Sequence, residues 1–169
     1  DPSLATLRWF SSLVRTGRRE FVVFDVENAG PHLVCCGMIR LHQQADGSPA
    51  KPDRAVCFRF RRAGGAPWWP TFDEHLEAVT LLDGILADPL VAKVGHFIIQ
   101  HDLPLLQELG FQVNGPLLDT SALCHATHSE LRKGLAFLAT AFCGAPAWKQ
   151  IPDEKEAEAR EADGKEDTL

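Results

Sequence analysis

The stretch FVVFDVE, residues 21–27, constrains this chain most. It is rich in β-branched and aromatic side chains and reads as a strand. Alternation along an extended backbone then places the carboxylates of Asp25 and Glu27 on one face, with Phe24 and Val26 on the other. An unpaired carboxylate beside an apolar core is costly, and a second of the same sign is worse, unless a cation offsets them. Two readings follow: a strand end where both acids reach water or pair with arginine, or one wall of a cation site.

The rest of the pattern indicates an α/β chain. An amphipathic helix over 4–14 and a basic turn, Thr16-Gly17-Arg18-Arg19, precede the strand, and Asn28-Ala29-Gly30-Pro31 breaks it. Residues 33–41 and 55–60 read as two further strands, joined by a polar loop with Asp46-Gly47 and two prolines. The period then changes. After Gly64-Gly65 and Pro67-Trp68-Trp69-Pro70, Thr71 and Glu74 have the spacing of a capping box. The helix they open carries an apolar stripe of Leu76, Val79, Leu82 and Leu86, and Asp88-Pro89 stops it. A buried strand over 91–96, a helix over 103–109 closed by Gly110, a strand over 117–119 and helices over 120–128 and 134–142 complete the order. A meander feeding two parallel crossovers gives a mixed five-stranded sheet flanked by helices. With 169 residues and 45% hydrophobic content the chain can bury one core, expected within 1–150. Residues 151–169 are Glu-, Lys-, Ala- and Asp-rich, cannot bury a core, and read as a mobile acidic linker.

A third acid joins the first two. Asp102 follows the strand over 91–96 and opens the next helix, in VGHFIIQHDLPLL. As a bland reading it caps that helix. It also sits beyond the carboxyl end of a strand that could neighbour the first, where open α/β sheets place ligands. Hard oxygen donors suit Mg2+ or Mn2+, and two such ions about 4 Å apart can activate a water and stabilise a leaving oxygen of a phosphodiester.

Three blocks resemble the DEDD-type proofreading exonucleases of the ribonuclease H-like superfamily, particularly the exonuclease domains of family A and phage-like DNA polymerases. FVVFDVENAG resembles the first motif, and VGHFIIQHDLPLLQELGF the second. LLDTSALCHATHSELRKGLAFLATAFCGAPAWK is similar to the stretch before the third. The resemblance implies that Asp25, Glu27 and Asp102 are catalytic metal ligands for two Mg2+ or Mn2+ ions, and that Asn28, His96 and Phe97 meet a terminal nucleotide. It further implies 3′-5′ hydrolysis at the 3′ end of single-stranded DNA, with a polymerase domain in the full-length protein. Three positions depart from the family. Asn28 replaces a threonine, Phe97 stands where an asparagine is usual, and the third motif is missing. That motif needs a tyrosine four residues before an aspartate, or a histidine five before one. The chain has no tyrosine, and no histidine follows His128. The expectation is a chain cut before its third motif, binding metal weakly and cleaving little alone. The alternative is a degenerate module that binds nucleic acid or a polymerase without catalysis.

Charge gives little independent support. The net charge is -6, but residues 153–167 hold eight acidic and three basic side chains, which leaves 15 acidic against 14 basic elsewhere. The strongly basic footprint common in nucleic-acid binders is absent. Arg59, Arg61 and Arg62, with Arg54 nearby, are the dense basic cluster; they could meet a phosphate backbone or line a solvated strand edge. Trp68 and Trp69, between two prolines, read as a packed corner more readily than as a base-stacking platform. Five cysteines without paired spacing read as reduced thiols of a soluble, intracellular protein of the cytoplasm or nucleoid. Cys124, His125 and His128 cluster locally but lack the further ligands a closed zinc site requires. No apolar run is long enough to span a bilayer.

Overall fold

A computed structural model describes residues 3–16, 21–42 and 51–146. The chain divides into two compact units, one ending at Thr127 and the other beginning at His128. The polar loop around Asp46-Gly47, the turn at 17–20 and the acidic segment 151–169 lie outside the described residues.

The first unit carries α1 (Leu4–Thr16), β1 (Phe21–Ala29), β2 (His32–His42), β3 (Lys51–Arg59), α2 (Phe72–Leu86), β4 (Ala92–Gly95), α3 (Asp102–Glu108), β5 (Leu117–Asp119) and α4 (Thr120–Thr127). Its strands form one sheet in the order β3-β2-β1-β4-β5. The pairs β1–β2 and β2–β3 are antiparallel, and β1–β4 and β4–β5 are parallel. This is the mixed sheet expected from the sequence pattern. β1 runs two residues past the expected break, and the reversal comes at Gly30, whose φ of 57° suits glycine. β3 begins at Lys51, four residues early, and includes Pro52. As an edge strand it tolerates a residue with no N–H, and the register shifts opposite Arg40 and Leu41, next to that proline.

One sheet face builds the core. Val22, Phe24 and Val26 of β1, Cys36 and Met38 of β2 and Phe58 of β3 pack with Leu7, Phe10 and Val14 of α1 and Ala78, Leu82, Ile85 and Leu86 of α2. The capping box forms as the spacing predicts: the Thr71 hydroxyl accepts from the Glu74 amide at 3.2 Å, and the Glu74 carboxylate accepts from the Thr71 amide at 3.1 Å. The expected apolar stripe is only partly right. Leu76 is half exposed, while Ala78 and Ile85 are fully buried. The helix turns its 78–82–85–86 face inward because α1 and the sheet together close over that side. Trp69 packs into the core as a corner residue, with its indole N–H buried and without an acceptor.

The second unit contains α5 (Leu135–Cys143), which begins at Gly134 and ends on Gly144 in the left-handed conformation. Before it, Lys133 donates to the carbonyls of His128, Ser129 and Leu131, drawing the turn around one ammonium. His128 meets Phe142 edge-on at 5.4 Å.

Lys93, in the central parallel strand, is fully buried. Its ammonium donates to the carbonyls of Asp88 at 2.5 Å and Asn114 at 2.6 Å, tying the α2–β4 loop to the segment that enters β5. Burial pushes its pKa down to about 8, partly opposed by Asp88. The unfolded chain therefore holds this proton to a higher pH than the folded one, and between about pH 8 and 10.5 the lysine contributes a rise in stability with pH. In Lys93→Met that contribution should vanish. Urea denaturation at pH 8 and pH 10 should show the parent gaining about 2 kcal/mol relative to the variant; parallel profiles would refute the assignment.

Candidate active site

Asp25 and Glu27 are exposed on the sheet face opposite the core, as alternation requires, while Phe24 and Val26 are 2% and 4% exposed. β1 and β4 pair through only three residues, Phe21 to Val23 against Ala92 to Val94, and then part. At the parting point Gly95 is cramped. A Cβ there would meet Ile98 Cγ2 at 2.3 Å and the Phe24 carbonyl oxygen at 2.9 Å, so a side chain would force the crossing loop away from β1.

Beyond that point the edge of β1 offers a ladder amide with no strand to receive it, and Asp102 takes it. Its Oδ1 accepts from the Val26 amide at 2.9 Å, in a buried bond across 76 residues of chain. Val26 lies between Asp25 and Glu27, so the third expected acid is anchored to the backbone that carries the other two. Asp102 is 3% exposed, and its Oδ2 lies 3.5 Å from Nδ1 of His101. The structure thus brings Asp102 to the strand of Asp25 and Glu27. It does not close a cation shell: among the described residues no three His, Cys, Asp or Glu side chains converge as a metal cluster.

Asp119 is the residue whose position here the sequence concealed. It is 8% exposed and accepts backbone amides from Phe97 at 2.9 Å, Ile99 at 3.1 Å, Ser121 at 2.8 Å and Ala122 at 3.3 Å. Burial alone would raise its pKa; the four amides outweigh that and hold it below the usual carboxylate value. It fastens the loop after β4 to the start of α4. Its place at a strand end before a helix signals a cap, but nothing in the sequence marks a reach back of 22 residues to Phe97.

That loop is strained. Phe97 has φ of 65°, the one positive φ at a non-glycine residue among the described residues. An asparagine adopts this conformation more readily than a phenylalanine. The Phe97 ring is 45% exposed. His96 precedes it with Nδ1 at 2.9 Å from the Thr120 hydroxyl, which itself donates to the Gly95 carbonyl at 3.2 Å. With the hydroxyl proton so engaged, the histidine Nδ1 carries the proton of that bond, and a neutral ring keeps its lone pair on Nε2. Asn28, just beyond the acids, turns its amide onto the Gly30 carbonyl at 2.9 Å.

The donor set matches hard cations. Burial lifts the Cys35 thiol to about 11, with Cys57 and Glu27 adding to the rise and Arg59 opposing it, and burial raises Cys36 well above the ordinary thiol value. The carboxylates of Asp25, Glu27 and Asp102 are the hard oxygen donors at this end of the sheet. All five cysteines are free. Among the described residues no helix is long and apolar enough to cross a membrane.

No protein-family model matches the chain, and no curated protein sequence is significantly similar to it. Solved structures do match. RNase D of Trypanosoma brucei superposes with a TM-score of 0.56 at 17% identity, over 93% of this chain and 50% of that one. NrnC of Brucella melitensis gives 0.51 at 21%, over 77% and 55%. The POL domain of Pol1 from M. smegmatis gives 0.51 at 19%, over 82% and 21%. The chain therefore spans about half the length of the RNase D and NrnC chains, and it shares their ribonuclease H-like fold, a mixed five-stranded sheet flanked by helices.

Two substitutions test this loop. Phe97→Asn should stabilise the chain by about 1 kcal/mol by relieving the left-handed backbone, read as a higher urea midpoint at unchanged slope. Asp119→Ala strands buried amides and should cost roughly 3 kcal/mol, with amide exchange accelerated at Phe97 and Ile99; an unaltered exchange pattern would disprove its fastening role.

Proposed function

We propose that this chain is a nuclease domain of the 3′-5′ exonuclease type, in which Asp25, Glu27 and Asp102 hold divalent cations against the 3′ end of a single-stranded DNA. The observation that carries the reading is the buried bond from the Val26 amide to Asp102, which ties the third carboxylate to the strand between the other two. The fold is one in which a Brucella melitensis NrnC is known with bound Mg2+ and with pGG, and the M. smegmatis Pol1 domain with a DNA primer-template. These ligands support the choice of cation and of nucleic acid for this chain. The polymerase likeness supports proofreading beside a polymerase domain in the full-length protein.

The residues fit Mg2+ or Mn2+ by donor chemistry, since carboxylate oxygens are the ligands such ions prefer. Bound there, a pair of ions would lower the pKa of a water and offset charge on the leaving oxygen. The protein's own contributions are positional. Asp102 is fixed by Val26 and by burial, whereas Asp25 and Glu27 stand on the exposed face of β1. His96, with Nε2 as acceptor, and the Asn28 amide present polar groups at the same strand ends for a terminal nucleotide. Phe97 offers an apolar surface where the family has an amide, so one polar contact to that nucleotide is replaced by ring contact. The chain contains neither the tyrosine nor the later histidine of a third motif, so binding is expected to be weak and turnover slow.

A Mn2+ titration by calorimetry, run on the chain and on Asp25→Ala alongside degradation of 3′-labelled single-stranded DNA, tests this. The expected result is binding weaker than about 0.1 mM that Asp25→Ala reduces at least tenfold, with hydrolysis at least a hundredfold below that of a complete two-metal site. Absence of binding in both proteins would refute the cation site and favour a non-catalytic binding module. Rapid Mg2+-dependent hydrolysis by the pure chain would refute its incompleteness.

A further inference from the structure

Glu27 of β1 stands opposite Cys35 of β2, and Cys35 stands opposite Arg59 of β3. Directly paired residues of antiparallel strands share a face, so these three form one row across the sheet on the side that carries the acids. Asp25, Gly37 and Cys57 make the next row. The strands are about 4.8 Å apart, which puts Arg59 roughly 10 Å from Glu27 along the row. β1 and β3 both run antiparallel to β2, so the acid end of β1 and the basic end of β3 fall at the same end of the sheet.

The basic end is built. Arg59 lies over the Trp68 ring at 4.6 Å and Arg62 at 5.1 Å, and Arg62 also donates to the Trp68 carbonyl at 3.2 Å. The Val34 carbonyl accepts the amides of Phe60 and Arg61 at 2.9 and 3.2 Å, holding the segment after β3 against β2. Arg61 donates to the Gly65 carbonyl at 2.8 Å and lies near His32 Nδ1 at 3.3 Å. Neither Arg61 nor Arg62 forms an ion pair with a carboxylate among the described residues. A cavity of about 360 Å³ opens here, lined by Cys35, Cys57, Arg59, Arg61, Arg62 and Trp68. From Arg54 to Phe72 the chain has four arginines and no acid.

We infer that this cavity is a phosphodiester subsite, and that a single-stranded polynucleotide whose 3′ end lies at Asp25 and Glu27 passes over β2 to reach it. The inference deepens the proposed function and rests on it for the position of the 3′ end. Arg59 and Arg62 hold the phosphates as ligands. Trp68 is a positioning residue, since its ring is already covered by guanidinium and keeps both side chains in place. Between the two ends the shared face carries Cys35, Gly37 and Cys57, so no carboxylate stands on β2 or β3 between Glu27 and Arg59. The recognised chemistry is the phosphodiester backbone, which DNA and RNA share.

The test measures fluorescence anisotropy of 5′-labelled oligodeoxythymidylate and oligouridylate on the full chain in EDTA, across a salt series, with hydrolysis in Mn2+ followed in parallel. Arg59→Gln/Arg62→Gln should weaken binding about tenfold and flatten the log–log salt slope by about 1.4, the value for two phosphate contacts on a single strand. Arg59→Lys/Arg62→Lys should restore most of the slope, which separates lost charge from lost fold. Trp68→Leu should weaken binding with a smaller change in slope. Comparable loss with both strands supports a backbone site; loss with one alone overturns the shared-backbone assignment. Parent-like affinity and slope in the Gln pair would overturn the subsite even if Mn2+ binding and hydrolysis persist. Arginine-dependent binding without any Mn2+ effect would leave the subsite standing and sink the hydrolytic reading instead. A chain that binds neither strand overturns the inference.

Discussion

Everything at the candidate site depends on β1 and β4 running together for three residue pairs and no further. Parallel strands normally satisfy each other's amides along their shared length. Here the ladder ends at Val23 and Val94, and the chain leaves β4 through Gly95, at a spacing from Phe24 that only a missing side chain allows. An edge so opened must be satisfied by something other than backbone. A carboxylate does it, and because a carboxylate has two oxygens, the residue that repairs the sheet keeps a second oxygen for other work. Asp102 thus completes the backbone bonding of β1 with one oxygen and faces His101 with the other.

The same economy holds the segment between β4 and α3 from both sides. Asp102 grips β1, and Asp119 grips the amides of Phe97 and Ile99 while capping α4. Beneath them Lys93 clamps two loops at the opposite end of β4. These polar anchors add to the three-residue ladders that the four-residue strand forms on each side. Such anchors can hold a strained residue in place: the left-handed Phe97 sits between two amides whose partners do not let it relax.

Much of this was readable from the residues. The alternation of FVVFDVE decides which way Asp25 and Glu27 face, and the capping box at Thr71 and the left-handed glycine at Gly110 mark helix ends by local chemistry alone. The mixed sheet also follows from a meander feeding two parallel crossovers, though its strand order comes from the structure. What stayed hidden is long-range. The bond from Val26 to Asp102 spans 76 residues and that from Phe97 to Asp119 spans 22, and no period or propensity encodes which amide a carboxylate will meet. The inward face of α2 misled for a related reason: Leu76 fits the stripe by spacing, but burial is decided by what α1 and the sheet cover. The early start of β3 at a proline-containing segment was hidden too, because an edge position excuses the missing donor and edge status is a property of the finished sheet.

The acids at the site fall into two kinds. Asp102 and Asp119 are buried and committed to backbone amides, so their positions are set by the fold before any ligand arrives. Asp25 and Glu27 are exposed, on a face with no core to fix them. A site split in this way has a rigid half and an adjustable half. The rigid half determines where along β1 a cation would sit, since Val26 holds Asp102 at one register only. The exposed half would bear on how tightly, because two like charges brought to one cation repel each other. A further carboxylate supplied to this face would add ligand charge without changing the register. The bond between Val26 and Asp102 therefore sets the position of any such cation along β1, and the exposed acids would bear on its affinity.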